Sequence, residues 1–341
     1  MSERVVENLN RALHALMEDD RVFFLGEDVL DPYGGAFKVS RGLSTRFPGR
    51  VISTPISELS IAGVANGLAL AGQRPIMEFM FGDFSFLAFD QLANFAAKSV
   101  TMYGEQLPFH LLARCPVGGH RGYGATHSQC VQKHFIGIPN LSLFELSQLH
   151  DNGEQLPGIL SAGSPAILFE GKTLYSQPQF TPGPLDELFS YGFLDRERRW
   201  AHVSIDQSSQ VVLITTGGMF PACWKAAREL FLEYEVEAQI VVPFCLYPFD
   251  PAPLLPLLSR NVPVFVVEES TAGGTWGAEV AAVLTRTLPA ESGPPIHLIH
   301  SKDAIIPAAR HLEREVLVQP DEIVTRVHSE LQHARHRRPH H

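Results

Sequence analysis

One carboxylate, Glu58, lies where a strand-like segment gives way to an apolar helix. Residues 51–52 have the pattern of a strand end, and the proline at position 55 disfavours helix there. Apolar residues then recur with the period of a buried helix over residues 59–72, and Ser57 is a residue type that caps a first helical turn. A lone carboxylate at such a helix start is a candidate acid or base. The alternative is a charge that merely offsets the helix dipole at a wet surface.

A second candidate, His127, lies in a glycine-rich loop at residues 118–129. Histidine is the side chain that most readily exchanges protons near neutral pH, so His127 could act on a substrate. A structural histidine that bonds a backbone carbonyl is the alternative. His120, His127 and His134 share a seven-residue spacing, but the glycines of the loop make a metal-binding helix face implausible.

Soft and aromatic side chains end the segment at residues 74–84, which reads Arg-Pro-Ile-Met-Glu-Phe-Met-Phe-Gly-Asp-Phe. Met80 and Phe84 could offer a flat apolar face to a bound ring. Ordinary core packing is the alternative in a chain with 22 phenylalanines. Residues 273–277 follow a strand but lack the full G-x-G-x-x-G pattern, so a tight strand-to-helix turn is a better interpretation than a dinucleotide loop.

Strand-like and helical patterns alternate along the chain, which indicates the elements that must hold these residues. An amphipathic helix is predicted at residues 5–17 and a buried strand at residues 22–25. A further strand is predicted at residues 76–79, followed by a helix at residues 86–102. Such alternation is typical of crossover units in a parallel sheet. The sequence therefore predicts an α/β fold of two domains, each a mainly parallel sheet with helices on both faces.

The domain boundaries follow from changes in composition. We place a first domain at residues 1–175 and a second, smaller domain at residues 209–330. Residues 176–208 are rich in proline and charge, so we predict a linker laid over the surface. Residues 331–341 form a basic tail rich in histidine and arginine, which is either a solvated terminus or a docking segment for a partner.

Bulk properties exclude several functional classes. The net charge of −10 disfavours nucleic acid as a partner. The four cysteines show no C-x-x-C spacing, which argues against a zinc site or a disulfide framework. No apolar run approaches the ~20 residues of a bilayer span, and no basic and apolar leader opens the chain. We therefore expect a soluble, cytoplasmic protein.

The order of these segments resembles the beta chain of the two-subunit E1 component of 2-oxo acid dehydrogenases. That family belongs to the transketolase-like thiamin diphosphate enzymes. The resemblance runs from residue 24 to about residue 282, and its strongest pieces are PISE at residues 55–58, RPI-EFM at residues 74–80 and HSQ at residues 127–129. It implies a pyrimidine-binding domain followed by a transketolase C-terminal-like domain.

The resemblance also implies roles for the candidate residues. Glu58 would be the glutamate that activates the cofactor by exchanging a proton with its pyrimidine ring. Phe84 would stack on that ring, and Met80 would lie beside it. His127 would face the substrate and the incoming acyl acceptor.

The family's magnesium motif is missing from this chain, and this implies a partner. Thiamin diphosphate enzymes hold Mg²⁺ through the Asp and Asn of a GDG…N segment, whereas residues 82–84 read Gly-Asp-Phe. The resemblance therefore implies no metal ligand here, and an alpha-type chain that supplies the Mg²⁺ and diphosphate ligands in an α₂β₂ heterotetramer. The acyl acceptor would be a lipoyl-bearing E2 component or an acyl-carrier protein. The alternatives are a split transketolase-like carboligase of a specialised biosynthetic pathway and a non-catalytic partner subunit.

Three segments depart from the family pattern. Residues 161–165 lack the Asp and Asn that help to bind a structural potassium ion in relatives. Residues 144–158 also differ, and residues 151–154 read as a polar, insertion-like turn. The basic tail replaces the end that docks the E2 core in complex-forming members.

Overall fold

Two α/β domains follow one another along the chain. The computed structural model describes residues 3–206, 209–258, 262–288 and 293–337. The strands are β1 (Val22–Gly26), β2 (Val51–Ser53), β3 (Arg74–Glu78), β4 (Leu112–Val117), β5 (Ser142–Glu145), β6 (Ala166–Gly171), β7 (Gly183–Pro184), β8 (Ser190–Phe193), β9 (Trp200–Ser204), β10 (Val211–Thr215), β11 (Ala238–Pro243), β12 (Cys245–Tyr247), β13 (Val264–Thr271) and β14 (Ile296–Ser301). The α-helices are α1 (Val5–Leu16), α2 (Leu43–Arg46), α3 (Glu58–Leu70), α4 (Ala97–Ser99), α5 (Asn152–Ser161), α6 (Phe220–Tyr234), α7 (Leu255–Leu258), α8 (Trp276–Thr287), α9 (Arg310–Val316) and α10 (Pro320–Arg337).

The first sheet has the strand order β12-β5-β6-β4-β3-β1-β2. Every neighbouring pair is parallel except β12 with β5, which is antiparallel. Strand β12 comes from the second half of the chain, so its pairing attaches that half to the edge of the first sheet. Strands buried on both faces in this way are rich in apolar residues throughout, which is why the sequence pattern predicted them. The predicted α/β class is confirmed.

The second sheet has the order β14-β13-β10-β11-β9-β8-β7. Strands β14, β13, β10 and β11 are parallel, whereas β9, β8 and β7 are antiparallel to their neighbours. The prediction of a surface linker at residues 176–208 is therefore wrong for much of its length. Tyr191, Trp200 and Val203 are buried in this extension of the sheet. Strands this short, separated by proline-rich and charged turns, are too brief to display a clear alternation.

The segment predicted as one helix at residues 86–102 changes its winding along its length. It begins as a 3₁₀ helix at Gly82–Ala88, continues as a π-helix at Gln91–Ala96 and ends as α4. The hydroxyl of Ser85 donates a hydrogen bond to the Gly82 carbonyl at 2.6 Å, which favours the tight first turns. Winding changes of this kind occur often at functional sites.

A helix start corrects one further prediction. The polar turn at residues 151–154 is the start of α5, because the Asp151 carboxylate accepts hydrogen bonds from the backbone N–H groups of Gly153 and Glu154. The basic tail continues as helix to Arg337, and residues 338–341 lie outside the described residues. Within the described ranges, no helix combines the length and apolar character that a membrane span requires.

Candidate active site

The carboxyl ends of four parallel strands lie side by side, and the predicted site residues follow them. In the register of the first sheet, Gly26 of β1 lies between Ser53 of β2 and Glu78 of β3, and Glu78 in turn faces Arg114 of β4. Ligands of parallel α/β sheets bind at this edge, outside the carboxyl ends of the strands. The segments that carry Glu58, the apolar side chains and the glycine-rich loop all leave from it.

Glu58 is the first residue of α3 and is buried, with 4% of its surface exposed. Ser57 adopts an extended backbone at the cap position, but its hydroxyl donates to Ser60 Oγ at 2.8 Å and does not cap the helix as predicted. Within the described residues, no group donates a hydrogen bond to the Glu58 carboxylate. Burial argues against a surface charge that only offsets the dipole. The Glu58 carboxyl group is therefore available to form a hydrogen bond with a bound ligand.

A second carboxylate, Glu27, faces Glu58 and was missed by the sequence analysis. It directly follows β1 and is 7% exposed. Burial and the neighbouring Glu58 raise the pKa of Glu27, while the backbone N–H of Ser57 partly offsets this. Its Oε1 atom is buried without a partner in the described part of the chain. The signal available in the sequence was an acidic residue immediately after a buried strand.

An aromatic cluster surrounds His127. The rings of His127 and Phe84 have centroids 5.2 Å apart, and those of His127 and Phe81 are 4.6 Å apart, both edge-on. Tyr123 of the glycine-rich loop also packs edge-on against Phe81, at 5.9 Å. The structure thus brings together two of the predicted site residues, His127 and Phe84, and adds Phe81. Met80 precedes Phe81 and is half-buried at the end of the same segment.

Helix α3 packs on the 3₁₀ segment that carries Phe84, one member of the cluster. The helix that begins with the buried carboxylate therefore packs on the element that carries an aromatic ring of the cluster. This combination fits an aminopyrimidine ring, which needs a hydrogen-bonding acid at one nitrogen and an apolar platform for its face. The residues present fit that half of thiamin diphosphate.

Asp83 does not fit a magnesium ligand. Its Oδ1 accepts a hydrogen bond from Gln129 Nε2 at 2.7 Å, and burial raises its pKa, which disfavours the charged form that Mg²⁺ needs. No cluster of three or more His, Cys, Asp or Glu side chains suited to a metal occurs within the described ranges. The Gly-Asp-Phe segment therefore supplies an aromatic face and a structural carboxyl group.

A buried ionic network joins the strand ends beneath the site. The Arg114 guanidinium donates Nε–Oε1 and Nη2–Oε2 hydrogen bonds of 2.8 and 2.7 Å to Glu170, and it also contacts Glu78. The hydroxyl of Tyr175 donates to Glu170 Oε2 at 2.6 Å. Strands β3, β4 and β6 are thus cross-linked, and paired buried charges of this kind fix one geometry.

Comparison with known proteins gives the family. The model "Transketolase, pyrimidine binding domain" matches residues 4–178, and "Transketolase, C-terminal domain" matches residues 201–323. The mitochondrial pyruvate dehydrogenase E1 component subunit beta of Dictyostelium discoideum is 30% identical over 326 residues, which cover 94% of this chain and 88% of the relative. The chain belongs to this transketolase-like E1 beta-subunit family. The human mitochondrial E1 beta subunit is 31% identical, again over 94% of this chain and 88% of its own length.

Solved structures agree with this E1 beta-subunit fold. A split-gene transketolase, described as an inactive beta4 tetramer, superposes with a TM-score of 0.69 at 20% identity and covers 97% of this chain and 99% of that one. A transketolase from Campylobacter jejuni gives a TM-score of 0.65 at 16% identity, covering 96% of this chain and 47% of that one. At such identities the likeness concerns the fold alone. The two domains predicted by resemblance are therefore confirmed as a fold, and the roles of the individual residues stay predictions.

Proposed function

We propose that this chain is the beta subunit of a thiamin diphosphate-dependent 2-oxo acid dehydrogenase E1 component, active with an alpha-type partner. The observation that carries the proposal is the buried carboxylate of Glu58 at the start of α3, a helix that packs on the segment carrying Phe84 of the aromatic cluster. The similarity to E1 beta subunits over nearly the whole chain supports the same reaction class. The proposed reaction is the oxidative decarboxylation of a 2-oxo acid followed by transfer of the acyl group.

Each side chain has a distinct task in this proposal. When bound, thiamin diphosphate supplies the carbon centre that takes up the 2-oxo acid and permits loss of carbon dioxide. Glu58 holds or releases a proton at the pyrimidine ring, and the carboxyl group of Glu27 is a second acidic group close to Glu58. Phe84 and Met80 exclude water from the ring face. His127 exchanges a proton with the substrate or the incoming acceptor.

The acceptor that balances the reaction is a lipoyl disulfide on an E2-type domain. Decarboxylation leaves an electron pair that must be removed before an acyl group can form. A disulfide accepts the acyl group on one sulfur and the electron pair with a proton on the other. A carrier-protein thiol would need a separate oxidant, so among the two acceptors that the resemblance implies we propose the lipoyl group.

The partner would cover an exposed apolar face of α3. Leu59 and Val64 on this helix are 49% and 55% exposed, and Ile56 just before it is 83% exposed. Gly67 lies on the same side, and a Cβ atom built there would meet no atom within 4 Å. A helix face of this kind allows another chain to approach closely. It begins beside Glu58, so a partner bound there would reach the site and could supply the Mg²⁺ and diphosphate ligands.

Replacement of Glu58 by Gln tests the proposal. The variant keeps the shape of the side chain but cannot release a proton, so decarboxylation by the reconstituted assembly should fall by about 10²- to 10⁴-fold. Glu7→Gln is the matched control, because Glu7 is a first-turn carboxylate of another helix, α1, and should have no such effect. Decarboxylation by Glu58→Gln at the rate of the Glu7→Gln control would show that Glu58 is only a helix-end charge.

A further inference from the structure

The loop that carries His127 belongs to the first domain but is bound by carboxylates of the second. Glu269 of β13 accepts a hydrogen bond from the backbone N–H of Gly119 at 2.6 Å, and its Oε2 lies 3.3 Å from His120 Nε2. Glu313 of α9 accepts the backbone N–H of Gly122, with oxygens at 3.1 and 3.3 Å. The pairs are 150 and 191 residues apart in the chain, so these contacts are wholly tertiary.

The loop conformation depends on these contacts. His120 and Gly122 both have positive φ angles, of 63° and 70°, and only glycine adopts this region without strain. A Cβ atom on Gly119 would lie 2.3 Å from Leu317 Cδ1, so the backbone is pressed closely against the second domain. Glu313 is 1% exposed, and a buried carboxylate needs donors such as these amides. Loop and carboxylates therefore stabilise each other.

A second attachment lies on the other side of His127. The Lys133 ammonium group donates to the backbone carbonyls of Thr271, the last residue of β13, at 2.8 Å and of Gly273 at 3.0 Å. The stretch between residues 119 and 133 is thus held at both ends by the second domain. His127 lies between the two attachments, where it meets Phe81 and Phe84.

We propose that Glu269 and Glu313 are positioning residues, which hold the loop so that His127 faces the aromatic cluster. The second domain then influences acyl transfer through this loop. This inference rests on the role proposed above for His127. A carboxylate that accepts a backbone N–H makes a charge-assisted hydrogen bond, which is stronger than one to a neutral amide oxygen.

The test compares Glu269→Gln and Glu313→Gln with Glu268→Gln in the enzyme assembled with its alpha-type partner. Glu268 is the matched control, because it is a buried carboxylate on the same strand that accepts backbone N–H groups of Trp276 and Gly277 and does not touch the loop. Amide hydrogen exchange at Gly119 and Gly122 reports loop order directly. We expect roughly tenfold faster exchange in the two loop variants and unchanged exchange in the control.

Kinetics give the second readout. Acyl transfer should slow by roughly tenfold in the loop variants, in proportion to the loss of loop order, while KM for the 2-oxo acid stays within about threefold. Loop exchange and transfer equal to those of Glu268→Gln would overturn the inference. If one loop variant does not assemble, the other still tests the inference, because both carboxylates bind the same loop. If the wild-type assembly shows no turnover, the proposed function fails, and the exchange data still decide whether the carboxylates order the loop.

Discussion

Phe81 and His127 lie edge-on, with ring centroids 4.6 Å apart and ring planes at 82°. On the imidazole, Nδ1 shares a hydrogen bond with Thr126 Oγ1 at 2.9 Å. Within the described part of the chain, Nε2 makes no hydrogen bond and is the nitrogen left for a substrate. The contact with Phe81 therefore fixes the plane of the imidazole, and the hydrogen bond with Thr126 leaves Nε2 as the atom that faces a substrate.

Phe81→Leu should weaken acyl transfer without removing the cofactor site. An edge-on aromatic pair contributes about 0.5–1.5 kcal/mol beyond its buried area, so loss of the ring should slow transfer by roughly 2- to 13-fold. Phe86→Leu is the matched control, because Phe86 packs edge-on against a different histidine, His134, at 4.9 Å. Single-turnover transfer rates measure the effect. Equal rates in the two variants would contradict a role for Phe81 in orienting His127.

His127→Ala should damage acyl transfer more than cofactor binding. The imidazole lies on a loop and faces the incoming groups, whereas the pyrimidine ring would rest on Phe84. We expect cofactor affinity to change by less than about threefold, or ~0.7 kcal/mol, while transfer to the acceptor falls. Titration of the assembly with cofactor, combined with transfer assays, checks this. If cofactor affinity fell sharply while the transfer rate per bound cofactor stayed normal, His127 would have only a structural role.

His150 makes stability depend on pH. Burial lowers its pKa from 6.5 to about 3, and its Nδ1 shares a hydrogen bond with Ser147 Oγ at 2.6 Å. The folded state therefore binds fewer protons than the unfolded state between these values. Its contribution to stability is complete above the unfolded pKa and is lost as the pH falls, by about 1.4 kcal/mol per unit.

In the His150→Gln variant the free energy of unfolding should therefore fall less steeply as the pH is lowered, because glutamine does not titrate. Urea unfolding at several pH values between 5 and 8 measures the free energy of unfolding for both proteins. His311→Gln, at an exposed position on α9, serves as the control and should follow the wild-type curve. Parallel curves for wild type and His150→Gln would show that another group causes the loss of stability in acid.

The exposed face of α3 predicts where the partner binds. Val64→Lys would place a charge in an apolar interface, which costs about 3 kcal/mol or more when no partner charge is present, so assembly should weaken by at least ~100-fold. Leu232→Lys on α6 is the matched control, since Leu232 and Val64 are both 55% exposed. Sedimentation of each variant with the alpha-type chain measures association. Assembly of Val64→Lys at wild-type strength would exclude this face.

The sequence predicted the elements whose patterns are local and continuous. The helix that begins at Glu58 and the buried strands of both sheets were recognisable because each repeats one period over enough residues. The strands at residues 183–204 were missed because each is too short to show its alternation. Phe81 and Glu27 were also missed. Phe81 reads as one more core phenylalanine until the fold places His127 against it, and Glu27 gains meaning only when β1 and α3 bring it to Glu58.

The carboxylates that bind the glycine-rich loop were beyond the reach of the sequence for a related reason. Glu269 and Glu313 lie 150 and 191 residues from the amides that they accept. No local pattern relates such positions, because the contact exists only once two domains have packed. The spacing of glycines in the loop indicated an unusual backbone, and it did not indicate which groups would hold that backbone in place.

We propose that this chain supplies only the pyrimidine half of a thiamin diphosphate site. Calorimetric titration with the cofactor and Mg²⁺ tests it most directly, first on the chain alone and then on the chain with its alpha-type partner. We expect no micromolar binding by the chain alone, because the ligands for the magnesium-bound diphosphate are proposed to come from the partner, and one cofactor per pair of chains in the assembly. Micromolar binding of one cofactor by the isolated chain would contradict a cofactor site divided between two chains.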